Sequence, residues 1–412
     1  MLKITSFLLA SGLFFALLPG NSQPLNAQTR KATNPLTFKQ GERIVFLGGS
    51  LFENELEKGY LEYAITSRWP DLDLTFRNLG WTGDNVFAEA RSTFTSPPTP
   101  YQHLFQQIRS SKPNHVLIAY GSVESQNGAA GLNQFIKGLE AIIDSLDAYG
   151  AKSILFSTIP VKHAGSLENT VTQNNNLKRY ADAIAAVASK RKKRFVDIYS
   201  PIAANTGNLF RDNGIHLNDA GYAFLAQVLE EAFGWPLRNS EIAIAVADAT
   251  ARTTGPTKII ANQEGKIVFS FQETVLPFPK YVEGRTASKA SVSVRISGLR
   301  NGRYALKENG QQLAAASAAD WAKGVLLYSR ISREQALGIC NNIVKKNSLV
   351  FQQYRPMNRT YILGFRAYEQ GRHKQTLEEL NGSIAALEEQ IKLHRKPVEK
   401  TYELNLIPTS SN

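Results

Sequence analysis

The sequence is poor in cysteine, and Cys340 is the single cysteine among its 412 residues. No disulfide bond can form within the chain, so each domain must be stable through its own core. Cys340 falls within residues 335–344, a run whose pattern is typical of a helix. A free cysteine in such a run commonly packs as a small apolar group, so we expect a buried thiol there rather than a reactive one.

The sequence also lacks an apolar run long enough to cross a membrane. Its early apolar run, residues 4–18, is shorter than the ~20 residues of a membrane-spanning helix, so we predict no integral membrane span. Lys3 precedes the run, and a polar stretch ending in Leu25-Asn26-Ala27 follows it. This order predicts a secretory signal peptide at residues 1–27 and export to the periplasm or the cell exterior. An uncleaved N-terminal anchor is the alternative.

Motifs for metals and nucleotides are missing as well. The six histidines include no pair at the His-x-x-x-His spacing of a zinc site, and Cys340 has no second cysteine to join it. No Walker loop occurs, and Gly80-Trp81-Thr82-Gly83 lacks the rest of a dinucleotide fingerprint. We therefore predict neither a metal site nor a cofactor.

The sequence has fewer acidic than basic residues: 35 Asp and Glu against 47 Lys and Arg, which gives a net charge of +12. The densest basic run, residues 190–194, closes a predicted helix, where positive charge suits the negative end of the helix dipole. No nucleic-acid-binding fold accompanies the charge, so we predict no nucleic-acid partner. Attraction to an anionic wall or polysaccharide is the more natural use of the charge in an exported protein.

What the sequence does contain begins with a regular alternation of strands and helices. Residues 28–40 are polar and without a clear period, which is typical of a linker, and the alternation fills residues 41–237. The predicted strands lie at 43–47, 72–76, 115–120, 152–158 and 194–198. The predicted helices lie at 56–69, 101–110, 132–149, 175–192 and 219–233. Such alternation predicts a parallel sheet with helices on both faces, and a ligand site beyond the carboxyl ends of the strands.

Two further regions follow. Residues 240–325 contain short apolar runs separated by turns, including Asn309-Gly310, a strong hairpin signal, and we predict a small β-rich module. Residues 326–412 are predicted to form a helical C-terminal extension, because apolar residues in 377–393 recur at a spacing of three to four.

Four small, polar blocks follow strands of the first domain, where its topology predicts the site. They are residues 47–51, 78–85, 120–125 and 212–218. The first block holds Ser50 on a glycine-rich turn, where backbone N–H groups can stabilise an oxyanion. The last block holds His216, which could reach that serine as a general base.

These blocks resemble, in order and spacing, those of the GDSL/SGNH hydrolase family, and specifically an exported bacterial subgroup with a long C-terminal extension. The resemblance covers roughly residues 40–236. It implies a three-layer α/β/α, flavodoxin-like domain. It also implies an esterase or lipase, a class that includes carbohydrate deacetylases, acting without a metal.

The resemblance assigns roles residue by residue. Ser50 matches the nucleophile, and Gly49 stands where the family usually has Asp. Gly83 matches the glycine whose N–H donates to the oxyanion. His216 matches the base. The alternatives are a helix-capping Ser50, a structural His216 and a Gly83 that serves only its turn.

Two positions depart from the family pattern. Val123 replaces the oxyanion-donating Asn, and loss of one such donor typically costs about 10²–10³ in rate. Asn213 replaces the triad Asp, and that change in a serine triad costs about 10⁴. Asp212, one position earlier, could orient His216 instead if the loop bulges. Ser122, Ser125 or Asn127 could replace the donor missing at Val123, and the sequence leaves this open.

Other residues near the blocks keep two interpretations each. Glu124 either braces the loops or binds substrate. His163 lies on the surface or lines the pocket, and Trp81 either shapes the cleft or packs on the sheet edge. For the segment 355–366, rich in aromatic and basic residues, we favour packing of the extension onto the first domain over contact with a polymer.

Together these features predict an exported serine esterase that cleaves acyl or acetyl esters of a small molecule or a polysaccharide. Ser50 would attack, His216 would move the proton, and Asp212 or Asn213 would orient the ring. The alternative is a weak or inactive descendant that binds a glycan or a partner, and Val123 and Asn213 motivate it.

Overall fold

The computed structural model describes residues 34–92, 98–163, 165–279, 292–356, 366–370 and 373–408. The predicted signal peptide and the start of the predicted linker lie outside these residues. The rest of that linker packs on the first domain. Leu36 N–H donates to Phe233 O (2.9 Å), Trp235 Nε1 donates to Leu36 O (2.7 Å), and Phe38 is buried. Its apolar residues therefore extend the core.

A five-stranded parallel sheet organises the first domain. Its strands are β1 (Arg43–Gly48), β2 (Thr75–Asn78), β3 (His115–Ala119), β4 (Lys152–Phe156) and β5 (Arg194–Val196). Their order is β2-β1-β3-β4-β5, and every neighbouring pair is parallel. This is the flavodoxin-like order. From β1 the chain first adds β2 on one side of the sheet and then β3, β4 and β5 on the other, so the order of connection switches sides at β1. The predicted α/β fold is confirmed.

Helices cover both faces of this sheet. They are α1 (Ser50–Glu55), α2 (Tyr60–Arg68), α3 (Pro100–Ser111), α4 (Leu132–Tyr149), α5 (Leu167–Lys190), α6 (Tyr199–Ala203) and α7 (Asp219–Ala232). Side chains alternate across β1: Ile44 and Phe46 join the core with α1, α2 and α7, whereas Val45 and Leu47 join the core with α3, α4 and α5. The domain thus has three layers.

The β-rich region forms two packed sheets. Its strands are β6 (Ser240–Ala245), β7 (Thr250–Thr253), β8 (Thr257–Gln263), β9 (Lys266–Phe271), β10 (Val292–Ser297), β11 (Arg303–Glu308), β12 (Gln311–Ser317) and β13 (Val325–Leu327), with α8 (Ala318–Lys323) before β13. Trp321 of α8 is fully buried in their shared core. Asn309 and Gly310 both have positive φ and join β11 to β12, as predicted for a type I′ hairpin.

Two long helices and one strand make up the extension. The helices are α9 (Arg330–Tyr354) and α10 (His373–His394), which pack on each other, and the strand is β14 (Lys400–Leu406). Strand β14 pairs with both β9 and β11, so the predicted helical extension also contributes a strand to the β-rich sheets. Cys340 lies in α9 and is buried, as expected, and burial raises the pKa of its thiol.

Ion pairs attach the extension to the first domain. Lys346 of α9 binds Glu62 of α2 (Nζ to Oε1, 2.5 Å), and both side chains are buried. Arg77 on β2 binds Glu388 of α10 (2.6 Å). Removing either charge of the buried pair would leave the other without compensation, so this contact fixes where α9 lies. No helix in the described ranges is long and apolar enough to cross a membrane.

Candidate active site

Ser50 is the first residue of α1, directly after β1 at the carboxyl edge of the sheet. The first N–H groups of a helix have no partner within it, so the backbone at Ser50 can donate to a ligand. Gly49 precedes it, and a methyl group placed there would lie 3.6 Å from the carbonyl oxygen of Asp84. The second block therefore adjoins the turn that carries Ser50.

A pocket of about 270 Å³ brings together Ser50, Ser122 and His216 from three of the predicted blocks. Its other polar lining residues are Asn54, Gln126 and Gln173. The rest of the lining is apolar except for one phenol: Leu51, Val123, Ile159, Val161, Leu177, Ile215, Leu217 and Tyr222. The pocket therefore offers a polar reacting end and a largely apolar wall.

Asn213 occupies the position beside the His216 ring. Its Nδ2 lies 2.9 Å from His216 Nδ1, and its Oδ1 accepts from the backbone N–H groups of Ile215 (3.0 Å) and His216 (3.1 Å). Turning the amide over would point its N–H₂ at those two donors, so the observed orientation is the one the loop stabilises. Asn213 therefore donates to Nδ1, and the neutral ring carries its proton on Nε2.

Asp212 does not take this position. Its backbone carbonyl binds the His163 ring (Nε2 to O, 2.9 Å), and its side chain is exposed. A methyl group at Gly214 would lie 2.5 Å from His163 Cδ2, so His163 packs directly on this turn. His163 thus holds the loop that carries His216.

The His216 ring remains neutral over most of the physiological range. Two causes lower the pKa of His216 below the ordinary value of 6.5: partial burial is the larger, and the positive charge of Arg211 is the smaller. A neutral imidazole is the state that a general base needs. Its protonation state is therefore suitable, whereas its tautomer is not.

Gly83 lies in a tight turn whose next residue, Asp84, adjoins Gly49, but Gly83 is not among the residues that line the Ser50 pocket. Asp84 N–H donates to Trp81 O (3.0 Å), and Gly83 has φ +79°, the conformation that a type II turn requires at its third position. We call residues 79–85 the Gly83 loop. Within it, Thr82 N–H donates to the Glu53 carboxylate (2.5 Å), which ties the loop to α1, the helix that begins at Ser50.

A buried ion pair anchors the same loop. Asp84 and Arg91 bind each other (Oδ2 to Nε, 2.7 Å), and both side chains are fully buried. Tyr120 donates its hydroxyl to Asp84 (2.9 Å), and Arg91 donates to Leu79 O (2.8 Å). Burial raises the pKa of Tyr120, so this hydroxyl stays protonated as a donor. The loop thus has little freedom to move.

Glu124 connects two loops near the site through hydrogen bonds to their backbones. Its Oε1 accepts from Val86 N–H and its Oε2 from Gly121 N–H, each at 2.9 Å, and the side chain is buried. Both carboxylate oxygens accept from backbone N–H groups, one from Val86, directly after the second block, and one from Gly121 in the third block. Glu124 therefore joins the second block to the third rather than facing substrate.

A candidate side-chain donor that sequence analysis missed, Gln126, lies directly after the third block. Val123 lines the pocket with 39% of its surface exposed, and Ser125 is committed to Ser122 O (2.8 Å). Gln126 also lines the pocket, on a 3₁₀ turn (Glu124–Asn127) three residues after Val123. Residues three apart eclipse each other on such a turn, so Gln126 shares the face of Val123. The three-residue spacing between Val123 and Gln126 is the sequence signal that could have identified Gln126.

Across the described residues, no cluster of three or more His, Cys, Asp or Glu side chains could hold a metal ion.

Residues 46–224 match the model of the GDSL-like Lipase/Acylhydrolase family. Among solved structures, a gut microbial diltiazem-metabolizing enzyme has a TM-score of 0.73 at 17% sequence identity. The alignment covers 91% of this chain and 99% of that one. This likeness extends the shared fold well beyond the matched segment.

Two other solved structures are similar over about half of this chain. A catalytic mutant of an acetylxylan esterase from Geobacillus stearothermophilus has a TM-score of 0.40 at 16% identity, covering 49% of this chain and 98% of that one. The acetyl xylan esterase AlAXEase has a TM-score of 0.37 at 19% identity, covering 46% and 98%. No curated protein sequence matches the chain.

Proposed function

From the premise that residues 46–224 form a GDSL-like lipase/acylhydrolase domain, we propose that this protein hydrolyses carboxylic esters with Ser50 as the nucleophile and His216 as the base. One observation carries the proposal: Ser50 and His216, 166 positions apart in the sequence (216 − 50), line one pocket at the carboxyl edge of the sheet. A partly buried serine that lines an open pocket on such a turn, with a neutral histidine in the same pocket, is suited to act as a nucleophile with that histidine as its base.

The proposed reaction proceeds by acyl transfer to Ser50. The Ser50 oxygen bonds to the ester carbonyl carbon, its proton passes to His216 Nε2, and the carbonyl electron pair moves to oxygen. The carbon–oxygen bond to the alcohol then breaks, and His216 returns the proton to the leaving oxygen. Water repeats the sequence on the acyl-serine and releases the acid.

Three groups are proposed to stabilise the oxyanion. They are the backbone N–H groups of Ser50 and Gly83 and the side-chain amide of Gln126, which takes over from the donor lost at Val123. Each such donor typically contributes about 10²–10³ in rate, so a replacement amide recovers much of the loss.

The proposed enzyme turns over slowly because of Asn213. Nε2 must be free of its proton to accept one from Ser50, but the amide of Asn213 favours the tautomer with the proton on Nε2. Reaching the competent tautomer requires the ring to give up that hydrogen bond, or the amide to turn away from two backbone donors. The base side therefore limits the rate.

The pocket supports a short acyl group or a compact apolar alcohol. Its wall is mostly aliphatic and its volume is about 270 Å³, small for a ligand site. Carbohydrate esters remain a candidate class in which the sugar stays at the mouth and only its acetyl group enters. Export, with the positive charge drawing the protein to acidic polymers, is part of the same proposal.

Hydrolysis of 4-nitrophenyl acetate by the purified protein, beside Ser50→Ala and His216→Ala, tests this proposal. We expect slow turnover that both substitutions abolish. Turnover that persists in Ser50→Ala would overturn the mechanism. Mass spectrometry after a fluorophosphonate probe checks the same point independently, because the label should appear on Ser50 alone.

A second candidate function is binding without turnover, and the orientation of the Asn213 amide favours it. With Nε2 protonated, His216 donates a hydrogen bond into the pocket and suits retention of an acyl or carboxylate oxygen. Equal affinity of the wild type and Ser50→Ala for an uncleaved ester, with no label on Ser50, would favour this second function.

A further inference from the structure

The end of α9 contacts the Gly83 loop directly. Tyr354 donates its hydroxyl to Gly80 O (2.6 Å), and Gln107 of α3 donates to Tyr354 O (3.0 Å). Tyr354 itself is buried. A segment more than a hundred residues beyond the first domain therefore forms part of the surroundings of its oxyanion turn.

Arg355, the next residue, makes two contacts with the same loop. Its guanidinium carbon lies 4.3 Å from the centre of the Trp81 ring, and its Nη1 lies 2.5 Å from Glu53 Oε2. That same oxygen of Glu53 accepts the N–H of Thr82, the residue before Gly83. One carboxylate oxygen thus links the extension, the nucleophile helix and the turn.

The loop has little room to adjust around these contacts. Trp81 is buried, and a second guanidinium, that of Arg91, lies 5.0 Å from its ring centre. A methyl group at Gly80 would lie 2.3 Å from Glu53 N, so the loop backbone rests against the nucleophile helix. A small displacement of Trp81 or Glu53 would therefore move the peptide that presents the Gly83 N–H.

We propose that Arg355 is a positioning residue, which holds the Gly83 loop through Trp81 and Glu53 so that the Gly83 N–H faces the carbonyl oxygen of an ester at Ser50. This proposal rests on the proposed esterase function. The C-terminal end of α9, at Tyr354 and Arg355, is then a component of the active site as well as a packing contact. Cation–π contacts strengthen when they are desolvated, as at the buried Trp81.

The test compares Arg355→Met and Arg355→Lys with Arg330→Met in the full chain. Arg330 lies at the other end of α9, in an exposed ion pair with Glu334, and is the matched control. The readouts are kcat and KM for 4-nitrophenyl acetate and the inhibition constant of butylboronic acid. The boron of that inhibitor accepts the Ser50 oxygen and places a boronate oxygen where the oxyanion would be.

We expect Arg355→Met to lower kcat about tenfold, the size of a partly desolvated cation–π contact with its ion pair, with KM within about twofold. The inhibition constant of butylboronic acid should rise by the same factor. The kcat of Arg355→Lys should lie between those of the wild type and Arg355→Met, because lysine keeps the charge facing Glu53 but loses the flat stacking on Trp81. Arg330→Met should match the wild type. Unchanged kcat in Arg355→Met, or a rise in KM alone, would overturn the proposal.

Hydrogen–deuterium exchange separates this inference from the proposed function, because it needs no activity. In Arg355→Met, exchange should rise for the amides of the Gly83 loop and remain as in the wild type for α5 and β4. A rise throughout α9 and α10 with a lower melting temperature would mean that Arg355 only packs the extension, and would overturn positioning. A wild type that hydrolyses nothing would sink the esterase proposal, while the exchange result still decides whether Arg355 orders the loop.

Discussion

The two sides of the candidate site are built very differently. The oxyanion side, with the Gly83 loop, rests on a buried ion pair, on Glu124 and on the end of α9. The base side is an exposed loop in which Asn213, also exposed, orients the ring. The difference teaches that the two sides of the candidate site are stabilised separately, because buried contacts fix the Gly83 loop whereas a single exposed amide orients His216.

The largest effect should come from restoring the base side. Asn213→Asp places a carboxylate at Nδ1, draws the ring proton there and frees Nε2 to accept the proton of Ser50. We expect kcat to rise by up to about 10⁴, since the reverse change in a serine triad causes a loss of that size. The acid limb of the pH–rate profile should also move to higher pH, because a neighbouring carboxylate raises the pKa of a histidine. Steady-state kinetics on 4-nitrophenyl acetate measure both.

Asn213→Ala is the control for this prediction. It removes the donor to Nδ1 without supplying a charge, so kcat should change far less than in Asn213→Asp. An Asn213→Asp protein that is well folded but no faster than the wild type would show that the tautomer does not limit the rate.

The next effect concerns the stability of the oxyanion side. Arg91→Met leaves Asp84 buried without its partner, and breaking a buried pair in this way costs about 3–5 kcal/mol. Lys178→Met, which breaks an exposed pair with Asp182, should stay within about 1 kcal/mol. Urea unfolding followed by circular dichroism compares the two. Equal losses would mean that the buried pair does not anchor this side more firmly than a surface pair.

A smaller effect should follow from removing the proposed replacement donor. Gln126→Leu keeps the approximate volume of the side chain but loses its N–H₂, and kcat should fall by about 10²–10³. Adding Val123→Asn to that variant should recover activity, because it returns an amide to the position where the family has one. Full activity in Gln126→Leu would exclude a role for this amide.

The smallest effect is on pH dependence. Activity requires neutral His216, and its lowered pKa keeps it neutral to lower pH, so the acid limb of kcat/KM should fall below pH 6.5. Arg211→Gln removes the lesser of the two causes, so the limb should move up modestly. A limb above 6.5 in the wild type would show that another group controls the profile.

Local patterns predicted the elements of the first domain well, and the reasons for the misses are physical. The predicted helix 56–69 begins only at Tyr60 in the structure. The separate helix α1 ends at Glu55, and the Glu55 carboxylate accepts Leu61 N–H (2.6 Å) at the start of α2. The strand predicted at 72–76 lies instead at Thr75–Asn78, where β2 pairs with β1. Hydrophobic periodicity is local, whereas strand pairing depends on a partner far away in sequence.

The same limit applies to the site. Ser50, Ser122 and His216 could be grouped from sequence because strand ends converge in a parallel sheet. Arg355 could not be linked to Trp81, since nothing in either segment encodes a contact across more than 270 positions (355 − 81 = 274). The segment 355–366 was expected to pack, and its residues 357–365 lie outside the described part of the chain.

The position of β14 has a consequence for how the molecule assembles. This strand lies between β9 and β11, and its first residue, Lys400, is buried against Glu273. The five-stranded sheet of the β-rich region therefore remains two separate pairs of strands, β8 with β9 and β11 with β12, until residues 400–406 have been synthesised and have paired between them. Contacts across such sequence separations slow folding, because loop closure must precede the pairing that rewards it. During synthesis, this gap would expose two strand edges, so the β-rich sheets should be among the last parts of the molecule to be protected from intermolecular strand pairing.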